Sequence, residues 1–130
     1  MNKKGLEMNP VCWFEIYVQD MPRATAFYET VLGVSLEHLP APSGEIELMA
    51  FPMAMDRPGA AGALTKMDGV KSGGNSTLVY FSCEDCAMEA SLVQAAGGSI
   101  QKPKTALGQY GFMVLAMDTE GNLFGLHSQK

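Results

Sequence analysis

Several things are scarce in this chain. No apolar run approaches the roughly 20 residues that cross a bilayer as a helix. Basic residues are few: nine Lys and Arg stand against fourteen Asp and Glu, for a formal net charge of −5. No cluster of Lys and Arg offsets that balance, which disfavours nucleic acid or an anionic membrane as a partner. Cysteine is limited to Cys12, Cys83 and Cys86. An odd, small count fits reduced thiols in the cytoplasm better than a disulfide framework. The opening residues, Met1-Asn-Lys-Lys-Gly-Leu-Glu7, carry no apolar signal core. The expected location is therefore cytoplasmic. No glycine-rich phosphate loop precedes a helix and no nucleophile elbow is present.

What the chain does have is repetition. Phe14-Glu-Ile-Tyr-Val-Gln-Asp20 runs into a segment ending at Gly33. Val79-Tyr-Phe-Ser-Cys-Glu-Asp85 runs into a segment of the same length ending at Gly98, 65 positions later. Phe14, Ile16, Val18, Phe27 and Tyr28 fall on Val79, Phe81, Cys83, Leu92 and Val93. A repeat of this length sets architecture before detail.

In the first copy, Phe14, Ile16 and Val18 alternate with Glu15, Tyr17 and Gln19, the period of a strand with one buried face. Asp20 is placed to cap a helix and Pro22 suits its first turn. Ala24, Phe27, Tyr28, Val31 and Leu32 form one apolar stripe, and Gly33 is the stop. Strands follow near Val34–Leu39, over Glu45–Pro52 and over Ala60–Lys66, with a break at Pro40–Gly44 and a turn at Asp56–Gly59. The second copy repeats the order. A strand is predicted at Thr77–Cys83, a helix at Asp85–Ala96, and strands near Ser99–Lys102, Tyr110–Met117 and Leu123–Ser128. The turn Asp118–Asn122 mirrors Asp56–Gly59 at an offset of 62, which lands Leu64 on Leu126. The reading is an α+β fold of two tandem βαβββ modules forming a curled mixed sheet around a cavity. A single domain over residues 1–130 is expected: module one over 9–67, a linker over 68–75 and module two over 76–130.

Alternation also separates the faces. If Phe14, Ile16 and Val18 point at the helix, Trp13, Glu15 and Tyr17 point away, as do Leu78, Tyr80 and Ser82 in the second module. Exposed aromatic residues on that side imply a shared concave space, the usual form of a small-molecule site. Trp13, Tyr17, Met49, Phe51, Tyr80 and Tyr110 are the candidate ligand-binding residues; plain core is the competing reading of the same side chains. The loops Gln109–Gly111 and Pro52–Gly59 are placed to close the mouth. Glu15 is a candidate base or substrate anchor, and His127 a candidate partner in a metal-free acid/base pair. The plainer alternatives are a solvated carboxylate and a wet edge-strand imidazole. His38 is expected to be exposed. Cys83-Glu-Asp-Cys86 has the spacing of a redox or zinc motif. A structural zinc needs a second pair, though, and Cys83 falls on the helix-packed face, so a small buried hydrophobe at Cys83 and a helix-start thiol at Cys86 are expected, with the same plain reading for Cys12.

The pattern from Val11 to Gly33, a strand, then Asp20, Arg23-Ala, Phe27-Tyr and Val31-Leu-Gly33, resembles the vicinal oxygen chelate superfamily. That group contains glyoxalase I, bleomycin and fosfomycin resistance proteins and extradiol dioxygenases. Asp118-Thr-Glu-Gly-Asn122 resembles its closing turn. The resemblance implies a cavity whose metal-using members coordinate an ion from four corners, one on the first and one on the last strand of each module. Here the first-strand corners are Trp13 and Leu78, and the last-strand corners Gly125 and Ala63 (Gly62 on a one-residue slip). None offers a lone pair to a cation. The expectation is thus no metal and no cofactor, and a binding protein for a small apolar or aromatic molecule. A metal-dependent lyase, isomerase or dioxygenase, and a metal-free enzyme using Glu15 and His127, are the alternatives. The resemblance also implies a homodimer; whether the modules pair within one chain or across two stays open at this level.

Overall fold

The structure is a computed structural model that describes residues 9–41, 44–54 and 56–130. The elements run β1 (Trp13–Tyr17), α1 (Met21–Leu32), β2 (Glu37–Leu39), β3 (Ile46–Ala50), β4 (Ala61–Met67), β5 (Tyr80–Ser82), α2 (Cys86–Val93), β6 (Ser99–Ala106), β7 (Phe112–Met117) and β8 (Leu123–Ser128). A single 3-10 turn, Gly108–Tyr110, joins β6 to β7. This is βαβββ twice. Part of the Pro40–Gly44 break, of the 52–59 loop and of the amino terminus lies outside the described residues.

Each module builds one four-stranded sheet, in the orders β1-β4-β3-β2 and β5-β8-β7-β6. The first strand pairs parallel to the last, because a helix crosses between them; the hairpin-linked strands pair antiparallel. Helix starts follow the sequence signals. Asp20 Oδ1 accepts from the Arg23 N–H at 3.0 Å, and Asp85 Oδ1 accepts from the Ala87 N–H at 3.0 Å. Gly33 closes α1 with φ of 66°. α2 ends at Val93, earlier than its apolar pattern predicts, and three backbone bonds carry the chain on through turns to Gly98. β6 runs four residues past its predicted end. It is an edge strand, so Pro103 is tolerated there, with register shifts on both sides of Lys102.

The core is shared by both modules. Phe14, Phe27, Tyr28, Phe51, Phe81 and Phe124 form one aromatic cluster with centroids 5.0–6.1 Å apart. Phe14 of β1 meets Phe81 of β5 at 6.1 Å, so within this chain the two modules pack on each other. Gly62 is required here: a Cβ on it would strike the Phe14 ring at 2.5 Å. No helix among the described residues is long and apolar enough to cross a membrane.

The closing turn of module two clamps module one. Asp118 Oδ1 accepts from the N–H groups of Glu120 and Asn122, and its Oδ2 accepts from the buried Tyr28 hydroxyl at 2.6 Å. Burial, then the Asp118 charge, drives the Tyr28 hydroxyl pKa well up, so it stays a donor. Glu120 Oε1 accepts from the backbone N–H of Gln19 and of Asp20, both at 2.9 Å, and Arg23 Nε donates to Oε2 at 2.7 Å. Asn122 Nδ2 donates to the Tyr17 carbonyl at 2.9 Å. The segment read as a linker is also fastened. Ser72 Oγ donates to the Glu120 carbonyl, and Asn75 exchanges two bonds with the Leu123 backbone.

Candidate functional site

Strand register assigns the faces. Trp13, Glu15 and Tyr17 lie beside Ala61, Ala63 and Thr65 of β4, and these beside Ala50 and Leu48 of β3. In module two, Tyr80 and Ser82 lie beside Gly125 and His127 of β8, with Leu115 and Met113 of β7 beyond. These rows form the side away from the helices. Small residues beside Glu15 and Tyr80 leave the larger side chains standing over the sheet.

Glu15 is held between its two aromatic neighbours. Trp13 Nε1 donates to Oε2 at 3.3 Å and the Tyr17 hydroxyl donates to Oε1 at 2.9 Å. The bond to Glu15 raises the Tyr17 pKa, with burial adding to it. Glu15 and Tyr17 line a cavity of about 190 Å³ at the seam between the modules, together with Tyr28 of α1, Lys71, Asn75 and Asn122. The linker residues Lys71, Gly73 and Asn75, and Thr77 just beyond them, also line this cavity, and no composition signal marks them for that role.

The remaining candidates are dispersed. Tyr80 is 45% exposed and its ring lies across Gly125, so that a Cβ there would overlap it. His127 Nε2 bonds to the Tyr110 carbonyl at 2.7 Å, and the Tyr110 side chain is largely exposed. No hydrogen bond joins His127 to Glu15 among the described residues; one belongs to the β8 row of the second sheet and the other to the edge of the first. The acid/base pair is not assembled in this structure. Met49 and Phe51 stand on the opposite side from Glu15. Met49 pairs with Leu64, which pairs with Ile16, a row that faces the core. Phe51 is 7% exposed and packs on Phe14, Tyr28 and Phe81. Both are core residues in this chain, placed there by the register of β3. His38 shares the Met49 row and is exposed.

Cys86 is buried and Cys83 half-buried, and neither forms a disulfide. Burial, reinforced by nearby Glu89, pushes the Cys83 thiol up to about 12. A thiol that holds its proton so tightly is a poor nucleophile and a poor redox centre.

The four corner positions that the resemblance implies are Trp13, Ala63, Leu78 and Gly125. Ala63 sits beside Glu15, and Gly125 lies under the Tyr80 ring. Among the described residues, no group of three or more His, Cys, Asp or Glu side chains is close enough to hold an ion.

Comparison with known proteins agrees with this architecture. Glyoxalase I from Zea mays superposes with a TM-score of 0.73 at 23% identity, over 92% of this chain and 46% of the maize chain. This chain thus spans just under half of that enzyme. The trypanothione-dependent glyoxalase I of Leishmania major gives 0.71 at 18% identity, over 93% of this chain and 87% of that one. A hypothetical protein from S. aureus gives 0.70 at 16% identity, over 98% and 99% of the two chains. No curated protein matches by sequence. The sequence profile of the Glyoxalase/Bleomycin resistance protein/Dioxygenase superfamily matches residues 11–126, nearly the whole length. With the duplicated βαβββ fold and the Asp118–Asn122 closing turn in place, the chain belongs to that superfamily.

Proposed function

We propose that this protein binds a small apolar or aromatic molecule on the side away from its helices, and does so without a metal ion. The observation that carries this reading is the donor set. Indole, methyl, isobutyl and a bare glycine stand where a divalent cation needs oxygen, nitrogen or sulfur lone pairs. The Tyr80 ring over Gly125 further occupies the space a coordinating side chain would need. What the same surface does offer suits a flat ligand. Trp13 and Tyr80 are 37% and 45% exposed, and Tyr17 and Glu15, on the same strand face as Trp13, add a hydroxyl and a carboxylate that line the 190 Å³ cavity.

Thermal unfolding of the purified protein tests the reading. Ni²⁺, Zn²⁺, Mn²⁺ and Fe²⁺ are expected to give no specific stabilisation. A bound aromatic molecule at a hundredfold excess over its Kd should stabilise by about 2.7 kcal/mol. Trp13→Ala should weaken that binding about tenfold by removing the aromatic anchor. A stoichiometric ion retained through purification and bonded at these corners would overturn the proposal.

A further inference from the structure

The duplication gives the seam between the modules two ends built from the same repeat positions. At offsets of 65 and 62, Tyr17 corresponds to Ser82, Asn122 to Ala60 and Leu123 to Ala61. Tyr17, Asn122 and Leu123 line the 190 Å³ cavity at one end. Ser82, Ala60 and Ala61 line a second cavity at the other end, and it is wider, about 270 Å³. In these three pairs the smaller residue stands at this end, while in two others, Ile16 with Phe81 and Val79 with Phe14, this end carries the aromatic ring.

The two ends are also closed differently. At the first, Glu120 and Asn122 clamp the turn onto the start of α1. Their counterparts in the first module's turn are Pro58 and Ala60, which carry no side-chain donor or acceptor. Among the described residues, no hydrogen bond joins that turn to the start of α2. The second end is left open by the same chemistry that seals the first.

Its walls are apolar, formed largely by Phe14, Phe51, Phe81, Leu32 and Val34, with one charged residue, Glu89 of α2. Glu89 stands where α1 has the buried Ala24. Its Oε1 is buried without an N–H or O–H donor, and the Cys83 thiol beside Glu89 is a weak donor whose geometric bond runs to the Phe81 carbonyl at 3.6 Å. Two lysines are paired with the acidic residues that lead into α2: Lys104 with Asp85 at 2.9 Å and Lys130 with Glu84 at 3.6 Å. Buried acceptors in native proteins are almost always satisfied. A carboxylate only accepts, so its partner must bring a donor, and a positively charged N–H donor suits it best.

We propose that the open end of the seam is a second ligand site, separate from the one above, for an apolar molecule that carries a protonated amine. The rings of Phe14, Phe51 and Phe81 hold the apolar body, and Glu89 receives the ammonium. Cation–π attraction to those rings favours the same orientation.

The test is a titration followed by amide ¹H–¹⁵N correlation spectra, with 2-phenylethylamine as probe and 2-phenylethanol and 3-phenylpropionate as controls. The amine should perturb the amides of Ala61, Ser82 and Glu89, and bind about tenfold more tightly than the alcohol, the increment of a hydrogen bond to a charged group. Glu89→Gln should bring the amine down to the alcohol's affinity while leaving the alcohol unchanged. Ser82→Tyr, which copies the sealed end at an exposed position, should abolish binding of both with the dispersed spectrum intact. Equal binding of 3-phenylpropionate, or unchanged amine affinity in Glu89→Gln, would overturn the proposal. Perturbations confined to Glu15 and Tyr17 would also overturn it, while leaving the ligand surface around Trp13 standing.

Discussion

Glu120→Gln is expected to lower the unfolding free energy by about 3 kcal/mol at pH 7 and to erase most of the protein's sensitivity to acid between pH 5 and pH 2. Burial alone would raise the Glu120 pKa. Hydrogen bonds from Arg23, from the backbone N–H groups of Asp20 and Gln19, and from Thr119 outweigh it and hold the carboxyl at about 2, against 4.5 for a free glutamate. The folded pKa is lowered, so the stabilisation is complete above the unfolded value. It fades as pH falls through 4.5 toward 2, where both states bind the proton. The side chain is fully buried, so solvent screening takes little from the effect. Glutamine removes the charge facing Arg23 and turns an N–H₂ toward a cluster of donors. Urea unfolding of both proteins at pH 7 and pH 2.5 measures this. The two curves should be far apart at neutral pH and draw together in acid. A constant gap across that range would show that the carboxylate is not the clamp's charged centre.

Glu120 also marks the boundary of what the residues alone reveal. Its contacts reach across 97 to 101 positions, from the last turn of module two to the first helix of module one. The turn itself is legible from Asp118 to Asn122 as a turn. Its grip on another module is not, because local periodicity carries no information about which distant N–H groups need an acceptor. The repeat made the fold readable, since two copies of strand, capped helix and three strands constrain one another. Face assignment succeeded on β1 and β5, where apolar and polar residues alternate. It failed on β3. There Ile46, Leu48 and Ala50 alternate with Glu47, Met49 and Phe51, so both faces carry large apolar groups and parity is ambiguous. Only pairing with Leu64 settles that Met49 faces the core. The 3-10 turn that presents the Tyr110 carbonyl to His127 likewise has no distinct sequence mark.

The equivalence of Gly33 and Gly98 offers a sharper test of how the duplication works, because the two glycines serve different purposes. Gly33 has φ of +66° and open space where a Cβ would go. Alanine there meets only the backbone strain of a left-handed residue, about 1 kcal/mol. Gly98 has no such φ, but a Cβ on it would overlap the Met117 carbonyl oxygen and stand 2.7 Å from the Phe27 ring. Neither neighbour can yield. The carbonyl belongs to the last residue of β7, and Phe27 is 1% exposed, wedged against Tyr28 and Phe124. Gly98 also anchors the exit from α2 through its N–H on the Val93 carbonyl at 2.9 Å. Inserting a methyl into so closed a space forces β6 away from β7 or α1 away from the sheet. Gly98→Ala is therefore expected to cost about 3 kcal/mol, or about 10 °C in Tm for a chain of this length. Gly33→Ala should lower Tm by about a third as much. Thermal scans of the two variants against the parent decide it. Equal losses would mean that the close approach of α2 to Phe27 is not what holds the second module's helix in place.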